Sequence, residues 1–266
     1  MPEIKLDKIN FLSLGLTEKE AVEILNNLIT GKVTMLALSG KMGSGKDTLA
    51  EKAMSLLKKE KVIHVYFGNE IKNEVDKIIH LLPSFNNLTS SILSESIQIE
   101  FELPNLSVLN EISELIIIEY ENSKLSGTPL TARNRSDNMR RILQLWGTEV
   151  RRSLDENYWV NKTIIKALKY ASSGFSVYLT DARFPNEAIL AQKVGFIVGR
   201  IDISEETRRK RLASRDNIQV DSITANHPTE ISLDDYENFN FRVDNNDETE
   251  KSVEEIINFI NGVRFV

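Results

Sequence analysis

The chain contains no cysteine, which excludes disulfide bonds, thiol catalysis and cysteine metal sites. It has no apolar run near the roughly 18 residues that a membrane-spanning helix needs, and residues 1–10 are too charged for a signal peptide. A net charge of −6 argues against binding to nucleic acid or to an anionic membrane. We therefore expect a soluble, cytoplasmic protein without a nucleic-acid or membrane partner.

Apolar segments are present in a regular alternation. Hydrophobic residues make up 41% of the 266 positions, enough for one large domain, or one domain with a small lobe, to bury a core. Runs typical of buried strands span residues 33–38, 62–67, 175–180, 196–203 and 239–243, with helical patterns between them. This alternation predicts an α/β fold with a five-stranded parallel sheet and flanking helices.

Two stretches fall outside the alternation. Residues 1–32 contain an amphipathic helix whose start is marked by a capping box of Thr17 and Glu20, and we expect a helical appendage packed on the sheet. Residues 83–135 are rich in serine and asparagine, and we expect them to form a lobe inserted over the ligand edge of the sheet. The main domain is then residues 33–266.

The most informative stretch is Gly-Lys-Met-Gly-Ser-Gly-Lys at residues 40–46, which we call the glycine loop. It fits the Gly-x-x-x-x-Gly-Lys pattern, with Asp47 where the pattern usually has serine or threonine. Between a strand and a helix, its glycines let backbone N–H groups point inward, the helix N-terminus favours an anion, and Lys46 supplies a charge for the outer phosphates. The alternative is an ordinary glycine-rich turn. We predict that a nucleoside triphosphate is bound by Gly40, Gly43, Ser44, Gly45, Lys46, Asp47 and Thr48.

A second group of polar residues surrounds a predicted helix that begins at residue 137. Arg140, Gln144 and Thr148 are four residues apart and share one face of this helix. Arginine suits bidentate phosphate recognition and glutamine can bond a base edge, although a surface helix with such a pair is also commonplace. Trp159 either stacks on a base or anchors the following helix. Lys72, after the second strand, is either a ligand-edge residue or a solvated lysine.

A third motif, Asp-Ala-Arg-Phe-Pro-Asn-Glu, occupies residues 181–187 at the end of a predicted strand. An acid at this position resembles the second acidic motif of phosphate-loop proteins, which helps to hold Mg²⁺, so we assign Asp181 to the metal. We assign Asp47 to the metal as well, because it stands where serine or threonine usually binds Mg²⁺. Arg183 is placed to clamp a phosphoryl group. Glu187 pairs with Arg183 or starts the next helix.

An arginine-rich segment follows the fourth predicted strand. Arg208, Arg211 and Arg215 share one helical face within residues 204–221. We predict a lid that brings arginines onto the transferring phosphate and excludes water. The alternative is a solvated basic helix.

Four segments together resemble, in order, motifs of phage-type deoxynucleoside monophosphate kinases. They are residues 43–48, residues 140–159, residues 181–187, and the segment His-Pro-Thr-Glu-Ile-Ser-Leu-Asp at residues 227–234. The resemblance covers roughly residues 33–262, and its Gly-Thr-Glu and Asp-x-Arg-Phe-Pro-Asn-Glu segments are the most specific. His227 has no second histidine or cysteine at ligand spacing, so we do not expect it to bind a metal.

The resemblance implies a P-loop kinase that transfers the γ-phosphoryl of Mg·ATP to a deoxynucleoside monophosphate, and a possible homodimer. Together with the predicted lid, which contributes Arg208 and Arg211, it leads us to expect that the reacting phosphates are met by Lys46, Arg140, Asp181, Arg183, Arg208 and Arg211. Together with the position of Lys72 after the second strand, it leads us to expect that the substrate is bound by Lys72, Arg140, Arg141, Gln144, Gly147, Thr148, Arg152, Trp159, Arg183 and Glu187.

Two alternatives remain at this stage. Phosphomevalonate and dephospho-coenzyme A kinases also resemble the chain in the glycine loop, and the former in the segment around His227. A regulatory nucleotide-binding module is the second alternative, because residues 161–164, Asn-Lys-Thr-Ile, begin like the guanine-reading Asn-Lys-x-Asp but lack its aspartate.

Overall fold

The computed structural model describes residues 2–82, 87–216 and 231–266, without the side chains of residues 215 and 216. Within these ranges, no helix is both long enough and apolar enough to cross a membrane.

The chain divides into two compact units. The first consists of Met1–Phe67 and Val160–Val266, and the second of Gly68–Trp159. The predicted inserted lobe, residues 83–135, falls inside the second unit, which begins earlier and ends later than predicted. The reason is that the helices on either side of the polar stretch bury their apolar faces against the helices within it.

A parallel sheet forms the centre of the first unit. Its strands are β2 (Met35–Ser39), β3 (Val62–His64), β4 (Ser176–Ala182), β5 (Ile197–Asp202) and β6 (Phe241–Asp244). They pair in the order β3-β4-β2-β5-β6, and every pairing is parallel. The predicted α/β fold with a five-stranded parallel sheet is therefore confirmed. A separate two-stranded parallel sheet, which the sequence does not predict, pairs β1 (Glu3–Ile4) with β7 (Arg264–Phe265).

The helices, in chain order, are α1 (Lys8–Ser13), α2 (Glu18–Ile29), α3 (Lys46–Leu56), α4 (Phe67–Leu81), α5 (Ser90–Glu100), α6 (Val108–Ser126), α7 (Asp137–Leu145), a π-helix (Trp146–Arg152), α8 (Tyr158–Ser172), α9 (Pro185–Lys193), α10 (Glu205–Asp216) and α11 (Thr249–Gly262). The Thr17–Glu20 capping box that predicts the start of α2 is present. Helix α5 lies in a stretch that the sequence analysis treats as polar and irregular. It forms because Thr89 caps it and because Leu93 and Ile97 are buried.

Strand β2 connects the two hydrophobic layers of the first unit. Met35 and Ala37 belong to the core cluster that contains α2 residues such as Ile24, whereas Leu36 and Leu38 belong to the cluster that contains α3 and α11. Alternation of side chains between the two faces of a strand explains this division, and burial on both faces explains the continuous apolar run in the sequence. Helix α2 is accordingly part of the main core of the first unit.

A buried polar network lies inside the second unit. The Glu74 carboxylate is almost fully buried and accepts hydrogen bonds from Nε of Arg151 at 2.8 Å, from the Trp146 indole at 3.0 Å and from the Tyr158 hydroxyl at 2.5 Å. Burial, followed by the Glu74 hydrogen bond, raises the pKa of Tyr158 far above its usual range. The Arg151 guanidinium is therefore buried in an ion pair with the Glu74 carboxylate, and we expect this pairing to be important for the stability of the unit.

Candidate functional site

The glycine loop joins the carboxyl end of β2 to the start of α3. Because β4 and β5 flank β2 and run parallel to it, the loop shares one edge of the sheet with Asp181 and Asp202, which lie at the ends of those two strands. Ligands of open parallel sheets bind at this edge. Gly40 opens the loop directly after Ser39.

Two glycines of the loop cannot be replaced without strain. Gly43 and Gly45 have left-handed backbone conformations, with φ of 86° and 85°. A Cβ atom on Gly43 would lie 2.9 Å from Cγ of Leu212, and one on Gly45 would lie 2.7 Å from Nδ2 of Asn245. Both the backbone conformation and the close approach of a neighbour therefore require glycine at each position.

Hydrogen bonds from two other segments hold the loop in place. The backbone N–H of Ser44 donates to the carbonyl of Lys41 at 3.0 Å, and the carbonyl of Ser44 accepts from Nδ2 of Asn245 at 2.7 Å. Nη2 of Arg211 donates to the carbonyl of Asn245 at 2.8 Å. The loop is thereby connected to the end of β6 and to α10.

Helix α10 packs directly against the loop. Arg208 is 2% exposed, its Cγ would lie 3.2 Å from a Cβ on Gly43, and its guanidinium donates to both oxygens of Glu205 at 2.8 and 2.9 Å. These hydrogen bonds lower the pKa of Glu205 to about 2. The alternative of a uniformly solvated basic helix is therefore wrong for Arg208, whereas Arg209 is exposed.

Two buried polar atoms at the loop lack a partner. Among the residues that the structure describes, neither Nη1 of Arg208 nor Oγ of Ser44 has a hydrogen-bond partner. Buried polar groups are rarely left in this state, and a guanidinium donor beside a glycine loop is a group that an anion can satisfy.

The start of α3 carries the other predicted nucleotide-binding residues. Lys46 lies in its first turn and is 8% exposed. Asp47 and Thr48 are exposed. Thr48 lines a groove of about 750 Å³ between α3 and α11.

A hydrogen-bonded chain leads from Asp47 into the sheet. The Thr180 hydroxyl donates to Oδ1 of Asp47 at 2.5 Å, and Nε2 of His64 lies 2.9 Å from the same hydroxyl oxygen. Burial lowers the pKa of His64 to about 4, against the opposing effect of the Asp47 carboxylate, so the ring is neutral near pH 7. Because the Thr180 proton is given to Asp47, the neutral ring donates its Nε2–H to Thr180.

Asp181 lies near the end of β4, the strand that pairs with β2 beside the glycine loop. Oδ1 of Asp181 accepts the backbone N–H of Phe67, the first residue of α4, at 3.1 Å. Burial raises the pKa of Tyr66, and the charges of Asp47 and Asp181 both add to this shift. The part of the chain that the structure describes contains no cluster of three or more potential metal ligands. Mg²⁺, however, is usually held by one or two carboxylates together with substrate phosphates, and these two carboxylates fit that requirement.

Glu187 has a structural role. Its carboxylate is 2% exposed and accepts the backbone N–H groups of Arg183 at 2.7 Å and of Phe184 at 3.1 Å, at the start of α9. The alternative that Glu187 starts the next helix is therefore confirmed, and the burial of its carboxylate in these contacts argues against its assignment to the substrate. The half-buried Arg183 is two residues beyond Asp181 in the chain.

The predicted acceptor residues lie in the second unit. Arg140, Gln144 and Thr148 are all exposed. The α-helix on which they were predicted to share a face ends at Leu145, and Thr148 belongs to the π-helix, where its hydroxyl donates to the carbonyl of Gln144 at 2.7 Å. The continuous four-residue spacing is therefore wrong beyond Gln144. A π-helix is uncommon and frequently occurs at functional sites.

Acidic neighbours already pair with two arginines on this surface. Arg140 lies 3.3 Å from Asp137, and Arg141 lies 3.0 Å from Glu111. All four side chains are largely exposed, so these ion pairs contribute little and leave the arginines available to an anion. Two further predicted substrate residues of this unit, Lys72 and Arg152, are half-buried.

Trp159 does not stack on a base. It is fully buried, and its indole N–H donates to the carbonyl of Gly147 at 3.0 Å. Gly147 lies where a Cβ would be 3.2 Å from Cδ1 of Ile71. Of the two alternatives for Trp159, the structural anchor is the correct one, because the ring belongs to the hydrophobic core of the second unit, together with residues of the π-helix.

Some predictions lie outside the described residues. They concern the side chain of Arg215, the last part of the predicted lid at residues 217–221, and residues 227–230 of the segment around His227.

The sequence analysis missed several residues around the glycine loop. They are His64, Thr180, Arg200 and Asn245, of which His64, Thr180 and Asn245 lie at or next to the carboxyl ends of parallel strands. That position is the signal that could have identified these three. Arg200 instead lies one strand away from Ser39, and nothing in its local sequence indicates that contact.

Comparison with models of known protein families finds none that matches this chain, and comparison with curated proteins finds no match either.

Proposed function

We propose that the protein is a P-loop kinase that transfers the γ-phosphoryl group of Mg·ATP to a deoxynucleoside 5′-monophosphate. The observation that carries this proposal is the glycine loop, which ends in a buried lysine at a helix N-terminus and is packed against a buried arginine. Backbone N–H groups, a helix N-terminus, Lys46 and Arg208 form the set of donors that a polyphosphate requires.

One donor of Arg208, which has no partner among the described residues, also supports a phosphate at this position. A guanidinium that binds Glu205 with two of its nitrogens keeps a buried third nitrogen that a phosphate oxygen can accept from. Asp47 and Asp181 would hold Mg²⁺, which supplies charge neutralisation on the phosphates when it is bound.

Catalysis in this proposal rests on position and charge. The acceptor phosphate is already ionised near pH 7, so no strong general base is needed. Lys46, Arg208 and Arg211 neutralise negative charge on the transferring phosphoryl group. Asp181 would hold the metal ion in position rather than act as a base. The neutral His64, through Thr180, holds one oxygen of Asp47 in a fixed direction.

The acceptor assignment rests on the resemblance and on two exposed side chains. Arg140 suits the monophosphate group and Gln144 suits a base edge. The burial of Trp159 removes one of the two features that favoured a base-bearing acceptor. A kinase for a phosphorylated small metabolite is therefore the second candidate.

A panel of acceptors in a coupled ADP-release assay tests this proposal. We expect ADP release to depend on a deoxynucleoside monophosphate, with smaller or no release for ribonucleotides, phosphomevalonate and dephospho-coenzyme A. Arg140→Ala should lower kcat/KM for all deoxynucleotides alike, by a factor that corresponds to about 2 kcal/mol of lost transition-state stabilisation, the scale of a hydrogen bond to a charged group. Gln144→Ala should change the ranking of the bases by about tenfold. A small-metabolite acceptor that outperforms every nucleotide would establish the second candidate.

A further inference from the structure

An ion pair joins the glycine loop to the segment that precedes β6. Nζ of Lys41, the second residue of the loop, lies 2.8 Å from Oδ2 of Asp234. Both side chains are about one-third exposed, at 33% and 32%. Asp234 belongs to the sequence motif at residues 227–235, to which the proposed kinase chemistry assigns no role.

Asp234 is itself fixed in position by a buried arginine. Nη2 of Arg200 lies 2.5 Å from Oδ1 of Asp234, and Nη1 of Arg200 donates to Oγ of Ser39 at 3.1 Å. Arg200 is directly opposite Ser39 in the register of β5 and β2, and its side chain is 7% exposed. Asp202 is a second, more distant counterion of Arg200, because its Oδ1 lies 3.6 Å from Nε, beyond hydrogen-bond distance.

This arrangement limits what Asp234 can do when a phosphate arrives. Because a buried guanidinium needs its counterion, Arg200 keeps the Asp234 carboxylate beside the loop. The carboxylate of Asp234 pairs with the ammonium group of Lys41 and places a negative charge next to the glycine loop, where the polyanion would bind. A bound phosphate must therefore draw Lys41 away from Asp234 and also tolerate the charge that remains.

We propose that Asp234 is an internal competitor for Lys41 that weakens the binding of nucleotide phosphates to the glycine loop. This inference rests on the proposed function, since it requires that the loop bind a nucleoside triphosphate. Its effect is to set the affinity for the triphosphate, and for the product diphosphate that must leave.

Calorimetric titration of the full chain with Mg·ATP, at low and at high salt, tests the proposal. Asp234→Asn keeps an oxygen that can accept from Arg200 and removes the charge. We expect it to bind Mg·ATP about three- to fivefold more tightly than wild type at low salt, the scale of a partly exposed ion pair, with a steeper loss of affinity as salt rises. Asp234→Glu should restore affinity toward wild type. Asp235→Asn is the matched control, because Asp235 is exposed and has no ion pair among the described contacts.

A double substitution identifies Lys41 as the carrier of the effect. The gain of Asp234→Asn should become smaller when Lys41→Gln is present, because only the direct repulsion by the Asp234 charge is then removed. The proposal is overturned if Asp234→Asn matches Asp235→Asn, if it binds more weakly than wild type, or if the full gain persists without Lys41. Should Asp234→Asn fail to fold, Lys41→Gln alone must bind Mg·ATP more weakly and with a shallower salt dependence, and an unchanged affinity overturns the proposal.

The two proposals fail in different ways. Binding of Mg·ATP to wild type that is lost in Lys46→Ala supports the nucleotide site whatever Asp234 does. The absence of any nucleotide binding to wild type would overturn the proposed function and this inference with it.

Discussion

Replacing Gly43 with alanine perturbs both the glycine loop and its contact with α10. The residue has a φ of 86°, where an alanine costs about 1–2 kcal/mol because its Cβ crowds the following carbonyl. The new Cβ would also lie 2.9 Å from Cγ of the buried Leu212, and overpacking of this kind costs about 1–3 kcal/mol. We expect Gly43→Ala to destabilise the protein by roughly 2–5 kcal/mol, the sum of the two contributions.

Gly15→Ala separates the two contributions. Gly15 has a φ of 82°, belongs to the same unit, and a Cβ on it would meet nothing within 4 Å. Backbone strain and the reduced entropy of the unfolded chain therefore affect both variants, whereas the overlap affects only Gly43→Ala. Urea unfolding should show Gly43→Ala to be less stable than Gly15→Ala by about 1–3 kcal/mol.

Leu212→Ala completes a double-mutant cycle. Truncation of Leu212 provides room for the new Cβ, so the double variant should lose less stability than the sum of the single variants. Gly43→Ala should also lose affinity for Mg·ATP. Equal destabilisation by Gly43→Ala and Gly15→Ala, with additive effects in the cycle, would refute the packing of α10 against the loop.

Three further predictions concern other parts of the molecule. Arg211→Ala should lower kcat more than it raises KM for ATP, because in the proposed function its guanidinium neutralises charge on the transferring phosphate. Arg209→Ala, on the exposed side of α10, should change neither. Glu187→Gln should lower the free energy of unfolding in urea by about 1–3 kcal/mol, because it weakens two buried hydrogen bonds from backbone N–H groups. It should leave the KM of the acceptor unchanged. A raised KM with intact stability would return Glu187 to the substrate site. Glu74→Gln should lower the free energy of unfolding by about 3–5 kcal/mol, because it removes the charge that pairs with the buried Arg151. Glu111→Gln, in an exposed ion pair, should lower it by less than about 1 kcal/mol. Similar losses of stability in the two variants would contradict the burial of the Glu74 network.

The inner strands of the sheet, β2, β4 and β5, could be predicted from the sequence because they are largely buried. β2 is a run of five buried residues bounded by a glycine loop, and such a run leaves little choice of element. The start of α2 could be predicted because its capping box is local in sequence. The strand β1 could not be predicted, because its two residues pair with β7 at the other end of the chain and no local pattern indicates that pairing.

The candidate site could be predicted only in part, for a related reason. Lys46, Asp181 and Arg208 belong to local motifs, and their types and spacing indicate phosphate chemistry. Trp159 and Glu187 belong to equally specific motifs, yet their side chains are buried in structural contacts. A sequence motif fixes which residues lie near a site but does not show which side chains face a ligand.

The partners that hold the loop come from distant segments. Asn245 follows β6 and reaches Ser44 across 201 positions of sequence, and Arg200 reaches Ser39 across 161. No periodicity or local spacing carries such contacts. They follow from the strand order β3-β4-β2-β5-β6, which a sequence alone does not determine.

The transfer of labelled phosphate from γ-labelled ATP to a deoxynucleoside monophosphate tests the central claim most directly. The account predicts label in the deoxynucleoside diphosphate with wild type. It also predicts a loss of at least about 10²-fold in Lys46→Ala, the scale of removing one preorganised donor, while the variant remains folded. Stoichiometric binding of ATP without label in any acceptor, or a Lys46→Ala variant within a few-fold of wild type, would contradict it.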